Sequence, residues 1–237
     1  MEQDLTSTLA RVAALGYREV EFAGYFGHKP EDIKAILADV GLQAPSAHLP
    51  ARDLIDDPNT AFDKATGAGH RFVVIPWWEP ELRTPQGYDI LLGLLERLGP
   101  LARERGLKLA YHNHDFEFTT DDGEAPYDRL LARTDPDTVF FEMDVYWVAK
   151  CLRSPLELLM ANPGRFPLLH LKDRDSHGVE TDVGRGDIDL LAILGTAIEQ
   201  GVEHLFIERD YPQDPLQSAQ SGSTWLHEAL KRVNERP

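Results

Sequence analysis

The sequence predicts a parallel α/β barrel of the (β/α)₈ type. Three observations predict it. Short apolar runs of strand character alternate with amphipathic helical stretches along the whole chain. Glycines stop the helical stretches at positions 16, 41, 69, 106 and 201. Titratable side chains gather where the strands end, which is where α/β barrels carry their chemistry.

The elements read as follows. Leu5 to Leu15 is helical, with apolar residues at 5, 9, 12 and 13. Glu19 to Ala23 is a short strand ending at Gly24. Pro30 to Val40 is a helix with proline at its start and Gly41 at its end. Gln43 to Leu49 is a strand, Asn59 to Ala68 a helix, and His70 to Pro76 a strand. Gly87 to Arg105 is a longer helix, and Leu107 to His114 a strand. Pro126 to Arg133 is helical, Val139 to Val145 a strand, Pro155 to Asn162 a helix. Pro167 to Asp173 is a strand, Ile188 to Gln200 a helix, His204 to Arg209 a strand, and Ser218 to Asn234 the last helix. Such spacing means parallel strands joined by crossover helices.

Strands therefore end near residues 22, 48, 76, 113, 145, 172 and 208. A closed barrel of this type needs an eighth strand, and here the chain opens on a helix. The barrel is expected to lack its first strand. Either the start lies upstream of Met1 or the barrel is open at one edge. An open edge invites another chain, so self-association to a homo-oligomer is one expected way to shield it. No linker or composition break interrupts residues 1–237, so a single domain is expected.

Composition narrows the function. Lys+Arg number 24 against 40 Asp+Glu, a net charge of −16, which argues against nucleic-acid and anionic-membrane partners. No run approaches the length of a membrane span. The acidic start Met1-Glu2-Gln3-Asp4-Leu5 lacks the apolar core of a signal peptide. Cys151 is the lone cysteine, so no intrachain disulfide forms. A cytoplasmic location is expected.

The strand ends carry the chemistry. Residues i and i+2 of a strand share a face. His112 and His114 therefore pair, as do Glu142 and Asp144, and His170 and Lys172. His48 closes the second strand and Glu208 the last. Imidazoles and carboxylates converging on one mouth suit Mn²⁺, Co²⁺ or Mg²⁺ better than thiolate-loving metals. Taken singly, His48 also reads as a hydrogen-bonded core histidine, Glu142 as half of a structural salt bridge, and Glu21 as a solvated strand end. Trp77, Trp78 and Trp147 read as packing or as a wall that stacks on a sugar ring. Gly184-Arg185-Gly186-Asp187 lacks phosphate-loop spacing and reads as a loop before a helix, with Asp187 near its N-cap.

Several segments together resemble one family. These are Val20 to Gly27, Tyr111-His112-Asn113-His114-Asp115-Phe116-Glu117-Phe118, Glu142 to Trp147, His170-Leu171-Lys172-Asp173, Val183 to Ile188 and Ile207-Glu208. They resemble the sugar phosphate isomerase/epimerase family of xylose isomerase-like TIM barrels, whose relatives include ketose 3-epimerases and inosose dehydratase. The resemblance covers essentially the whole chain. It implies one divalent metal held by a Glu, an Asp, a His and a second Glu. Carried over, Asp144, His170 and Glu208 take three of these places. Relatives have Glu-Asn-His where this chain has His112-Asn113-His114. Glu117 is therefore expected to swing in as the remaining ligand, with His112 as the alternative.

The reading that follows is a metal-dependent isomerase or epimerase of a sugar or keto-sugar, working through an enediolate. Glu208 or His114 would be the general base, and Lys172 would sit beside the developing oxyanion. His48, His112, Asn113, Glu142, Trp77, Trp147 and Arg185 are expected to contact the substrate. The alternatives are a lyase or dehydratase of a 3-keto-glycoside or keto-inositol, and a non-catalytic sugar-binding subunit.

Overall fold

The computed structural model describes residues 4–119 and 123–235. Helix α1 (Leu5–Ala14) precedes β1 (Glu19–Ala23), and α2 (Pro30–Val40) leads to β2 (Gln43–His48). Helices α3 (Ala51–Asp56) and α4 (Pro58–Ala68) lead to β3 (Phe72–Ile75), and α5 (Pro85–Arg103) to β4 (Lys108–His112). Helix α6 (Pro126–Arg133) leads to β5 (Val139–Asp144), then α7 (Val145–Lys150) and α8 (Pro155–Ala161) to β6 (Leu168–Leu171). A small hairpin, β7 (Asp173–Arg174) and β8 (Glu180–Thr181), and α9 (Leu190–Glu199) lead to β9 (His204–Ile207). Helix α10 (Pro215–Asn234) follows.

Seven strands form one parallel sheet in the order β1-β2-β3-β4-β5-β6-β9. Helices pack around it, and the sheet curls into a nearly closed barrel of the TIM type. Alternation along each strand sorts two cores. Phe72, Val74, Ala110, Leu168 and Phe206 fill the barrel floor. Their neighbours Val73, Ile75, Leu109, Phe141, Met143, Leu169 and Leu171 belong to the larger core shared with the helices. The helix starts follow local chemistry: α2, α4, α5, α6, α8 and α10 each open on proline. Gly41 and Gly69 end α2 and α4 at φ 73° and 89°, a left-handed turn that glycine enters without strain.

Three differences from the sequence reading have local causes. Helices α3 and α7 and the β7–β8 hairpin were not expected, being too short to show a hydrophobic period. Helix α9 starts at Leu190, not Ile188, because the Asp189 side chain caps it by accepting from Ala192 N at 3.0 Å. Asp187, expected as the cap, instead lies 3.4 Å from Arg174. Helix α10 starts earlier, at Pro215, where Asp214 caps Leu216 N and Gln217 N.

The expected gap is present. Among the described residues no strand pairs with both β1 and β9, and those two edges face each other without a ladder. A cavity of about 350 Å³ runs along this seam, lined by Leu5, Leu9 and Val12 of α1 and by residues of both edges. Side chains tie the seam instead. His204 Nδ1 meets Glu19 Oε2 at 2.6 Å, Tyr17 Oη donates to Ala219 O at 2.7 Å, and Ser223 Oγ donates to Leu15 O at 2.7 Å.

Candidate metal centre and active site

Register brings the polar strand ends together. His112 stands opposite Glu142, and Asp144 opposite His170. All four point into the barrel, above the apolar floor.

Two overlapping groups result. His48, His112, Glu142 and His170 offer ligand atoms that lie within 4.8 Å of one another, as do Asp144, His170 and Glu208. Glu142 Oε2 sits at the centre of the first, 2.7 Å from His48 Nε2, 3.1 Å from His112 Nδ1 and 3.2 Å from His170 Nε2. Glu21 Oε2 joins from β1, 2.9 Å from His48 Nε2 and 2.8 Å from His170 Nε2. In the second group His170 Nδ1 is 2.7 Å from Glu208 Oε2. His170 belongs to both groups, one ring nitrogen facing each.

Asp144 is held for a purpose its own bonds do not exhaust. Its Oδ1 accepts from Tyr146 N at 2.9 Å and Trp147 N at 3.2 Å, capping α7. Its Oδ2 is buried without a hydrogen-bond partner. Glu142 Oε1 is likewise buried and unpartnered. Buried carboxylate oxygens without donors are rare, and a cation satisfies them. Lys172, which is 1% exposed, lies 3.5 Å from Asp144 Oδ2, 3.3 Å from Glu208 Oε2, 3.6 Å from Glu180 Oε1 and 2.8 Å from Asp210 Oδ2.

The electrostatics follow the packing. Burial opposes charge on Glu142, yet His170, His48 and His112 hold its carboxyl well below the usual range. Burial likewise opposes charge on Glu208, and His170 and Lys172 hold it low. Burial pulls the His48 imidazole down, but Glu21 and Glu142 carry it up to about 10. Burial pushes Asp144 up to about 7, against the pull of Lys172 and His170. His114 falls to about 3 through burial, with His112 and Lys172 adding to the effect, so its ring is neutral.

The remaining candidates are placed as follows. Glu117 stands apart from both groups. It is fully buried, accepts from Tyr111 Oη at 2.6 Å and His114 N at 2.8 Å, and ties down the turn after β4. Swinging toward the mouth would break both bonds, so the expected Glu117 ligand does not appear in this arrangement. Asn113 is also fully buried, and its amide stitches β4 to β5 through Asp144 N at 3.1 Å and Asp144 O at 3.4 Å. That occupies the amide the sequence reading gave to substrate. Trp77 packs edge-on against His114 at 4.9 Å between centroids, and Trp147 lies 5.3 Å from the same ring. Arg185 is exposed on a loop fastened below it, where Asp173 accepts from Gly184 N at 3.0 Å and Gly186 N at 2.9 Å.

Glu21 is the residue that sequence reasoning undervalued. It is no solvated strand end: its side chain is 8% exposed and faces two imidazoles. The signal was present in Glu19-Val20-Glu21-Phe22. Phe22 points to the helix layer, so Glu21 must point inward. Glu180 and Asp210, which hold Lys172, gave no such signal, because the hairpin and the turn after β9 have no period.

Comparison with known proteins agrees with this architecture. A crystal structure of a sugar phosphate isomerase/epimerase from Parabacteroides distasonis superposes with a TM-score of 0.82 at 25% identity, covering 94% of this chain and 88% of that one. A xylose isomerase-like TIM barrel protein from Mycobacterium smegmatis in complex with magnesium superposes at TM-score 0.74 and 17% identity, covering 98% and 90%. An inosose dehydratase from Geobacillus kaustophilus is 26% identical over 217 residues, 82% of this chain and 68% of its own length. Against two further inosose dehydratases, from Geobacillus thermodenitrificans and Lacticaseibacillus casei, the matched stretch is 49% and 30% of their length. The family model for xylose isomerase-like TIM barrels matches residues 9–229. The chain belongs to the xylose isomerase-like TIM barrel family.

Proposed function

We propose that this protein is a metal-dependent isomerase or epimerase of a sugar or keto-sugar. The observation that carries the reading is the set Asp144, His170 and Glu208, with Asp144 Oδ2 buried, without a hydrogen-bond donor and only 3.5 Å from the Lys172 ammonium. Oxygen and imidazole donors suit Mn²⁺, Co²⁺ or Mg²⁺. The placing of His170 supports a site on its Nδ1 side. Its Nε2 then donates to Glu21 and Glu142, the carboxylate support that metal-ligating histidines usually have. His112 is the fourth contributor rather than Glu117, because it shares a group with His170 while Glu117 belongs to neither group.

A divalent ion there would supply a Lewis acid that acidifies the C–H beside a substrate carbonyl. The chain's own groups do the rest. Glu208, 39% exposed on its side chain, faces the mouth and removes the proton. Lys172 brings a fixed positive charge beside the oxygen on which charge develops. Neutral His114, walled by Trp77 and Trp147, forms part of the wall against which the sugar lies. Return of the proton to the other face, or to the neighbouring carbon, gives the epimer or isomer.

A second reading keeps the same proton removal and ends in elimination, a proton and a hydroxide leaving together as water. The alignments to inosose dehydratases favour it. Incubation of keto-sugars with protein and Mn²⁺ in D₂O tests both. Deuterium uptake at unchanged product mass otherwise supports the isomerase; loss of water supports the dehydratase. No exchange across a broad panel contradicts the shared chemistry.

A further inference from the structure

Arg83 follows the short helical turn Pro80–Leu82 after β3, on the mouth side of the barrel. Its guanidinium carbon lies 3.4 Å from the Phe116 ring centroid and 4.3 Å from that of Trp77. Its Nε donates to Trp78 O at 2.9 Å. Its Nη2 is buried with no hydrogen-bond partner, and among the described residues no carboxylate forms a salt bridge with it, although its charge helps hold down the Glu117 carboxyl that burial pushes up. Other arginines with an idle nitrogen differ. Arg129 and Arg165 leave Nε idle and engage a terminal nitrogen, with Asp89 and with Leu131 O and Thr134, while Arg174 Nε lies 3.4 Å from Asp187. Arg83 does the reverse. It leaves a buried terminal nitrogen without a partner inside the protein.

The surroundings point to the substrate. Trp77 and Phe116, the two rings on Arg83, also flank His114 at 4.9 and 5.4 Å. The His114 ring lies 5.0 Å from that of His112. Trp77 is 39% exposed, so this recess opens to solvent. Lys172 is already shared among four carboxylates, and Lys150 pairs with Asp115 at 2.8 Å. Among the described residues Arg83 beside the mouth forms no salt bridge with a carboxylate, although its charge acts on the buried Glu117. A planar fork held rigid by stacking matches a carboxylate or phosphate better than a hydroxyl.

We propose that Arg83, stacked on Trp77 and Phe116, binds an anionic substituent of the substrate, a carboxylate or phosphate on a sugar. This rests on the reading of the mouth as a sugar site. The test is calorimetric titration of the Mn²⁺-loaded protein with glucose, glucuronate and glucose 6-phosphate. One anionic sugar should bind at least about tenfold tighter than glucose, about 1.4 kcal/mol. In Arg83→Gln, which keeps a planar amide between the rings, the ratio should fall to about one. Arg83→Lys should recover part of it, and tryptophan fluorescence should shift with the anion in the wild type but not in Arg83→Gln. Which anion wins separates carboxylate from phosphate. Glucose binding without an anionic gain overturns this inference and leaves the sugar reading standing. An anionic gain that persists in Arg83→Gln assigns the anion to the metal and also overturns it. Failure of all three sugars to bind counts against both.

Discussion

Two walls of the barrel present the same group, a glutamate, in different settings. Glu142 on β5 lies in the continuous part of the sheet, fully buried, with three imidazoles within 3.2 Å. Glu21 on β1 lies at the seam, where it reaches two imidazoles and lines the open cavity. The continuous wall fixes its carboxylate through ladders on both sides. At the seam the backbone edge is free, and side-chain ties such as His204 to Glu19 replace the ladder. The comparison teaches that Asp144 and His170 stand on laddered strands while Glu208 follows the edge strand β9 and lines the cavity, and that the seam is where the fold has most to gain.

The largest expected effect breaks the continuous wall. His170 touches Glu21, Glu142 and Glu208, and its removal leaves buried carboxylates facing one another. His170→Ala should lose bound metal and destabilise the metal-free protein by about 3–5 kcal/mol in denaturant unfolding. A loss below about 1 kcal/mol would show that the imidazole does not hold the cluster together.

Next in size is the pH response of Glu117, which sharpens the contrast by testing a carboxyl that no imidazole neutralises. Burial raises it from 4.5 to about 7. A raised folded value means its stabilising contribution is complete below about pH 4.5 and is lost as pH climbs through about 7. Glu117→Gln is neutral throughout. Relative to it, the wild type should lose about 3 kcal/mol across that window. A difference that stays flat with pH would mean that Glu117 is solvated or charged in the fold.

The smallest effect concerns the seam. Supplying an in-frame strand of about six residues ahead of α1 would pair both free edges and bury the apolar lining of the cavity. The melting temperature should rise by several degrees, at about 2–4 °C per kcal/mol for a chain of this size. An unchanged melting temperature, with a monomer in solution, would mean that the side-chain ties already complete the barrel.

Much of this was legible in the sequence for physical reasons. Strand alternation is strict, so His112, Glu142 and His170 could be placed on one inner face from their spacing. Glycine stops and proline starts marked the helices, and the strand count foretold the seam. What stayed hidden depended on contacts across the chain. Nothing local says that Glu117 spends both oxygens on Tyr111 and His114, or that Asn113 stitches two strands. Glu21 was passed over because a charged residue on a short edge strand is so often solvated. Arg83 showed no period and no motif; only the stacking of Trp77 and Phe116 around it singles it out.

The central claim is that Asp144, His170 and Glu208 hold one divalent ion, with His112 rather than Glu117 beside them. Elemental analysis of the purified protein and of Asp144→Asn, His112→Ala and Glu117→Gln tests it most directly. The account predicts about one Mn²⁺, Co²⁺ or Mg²⁺ per chain in the wild type and in Glu117→Gln, little or none in Asp144→Asn, and a reduced content in His112→Ala. Full metal in Asp144→Asn, or loss in Glu117→Gln with full content in His112→Ala, would contradict it.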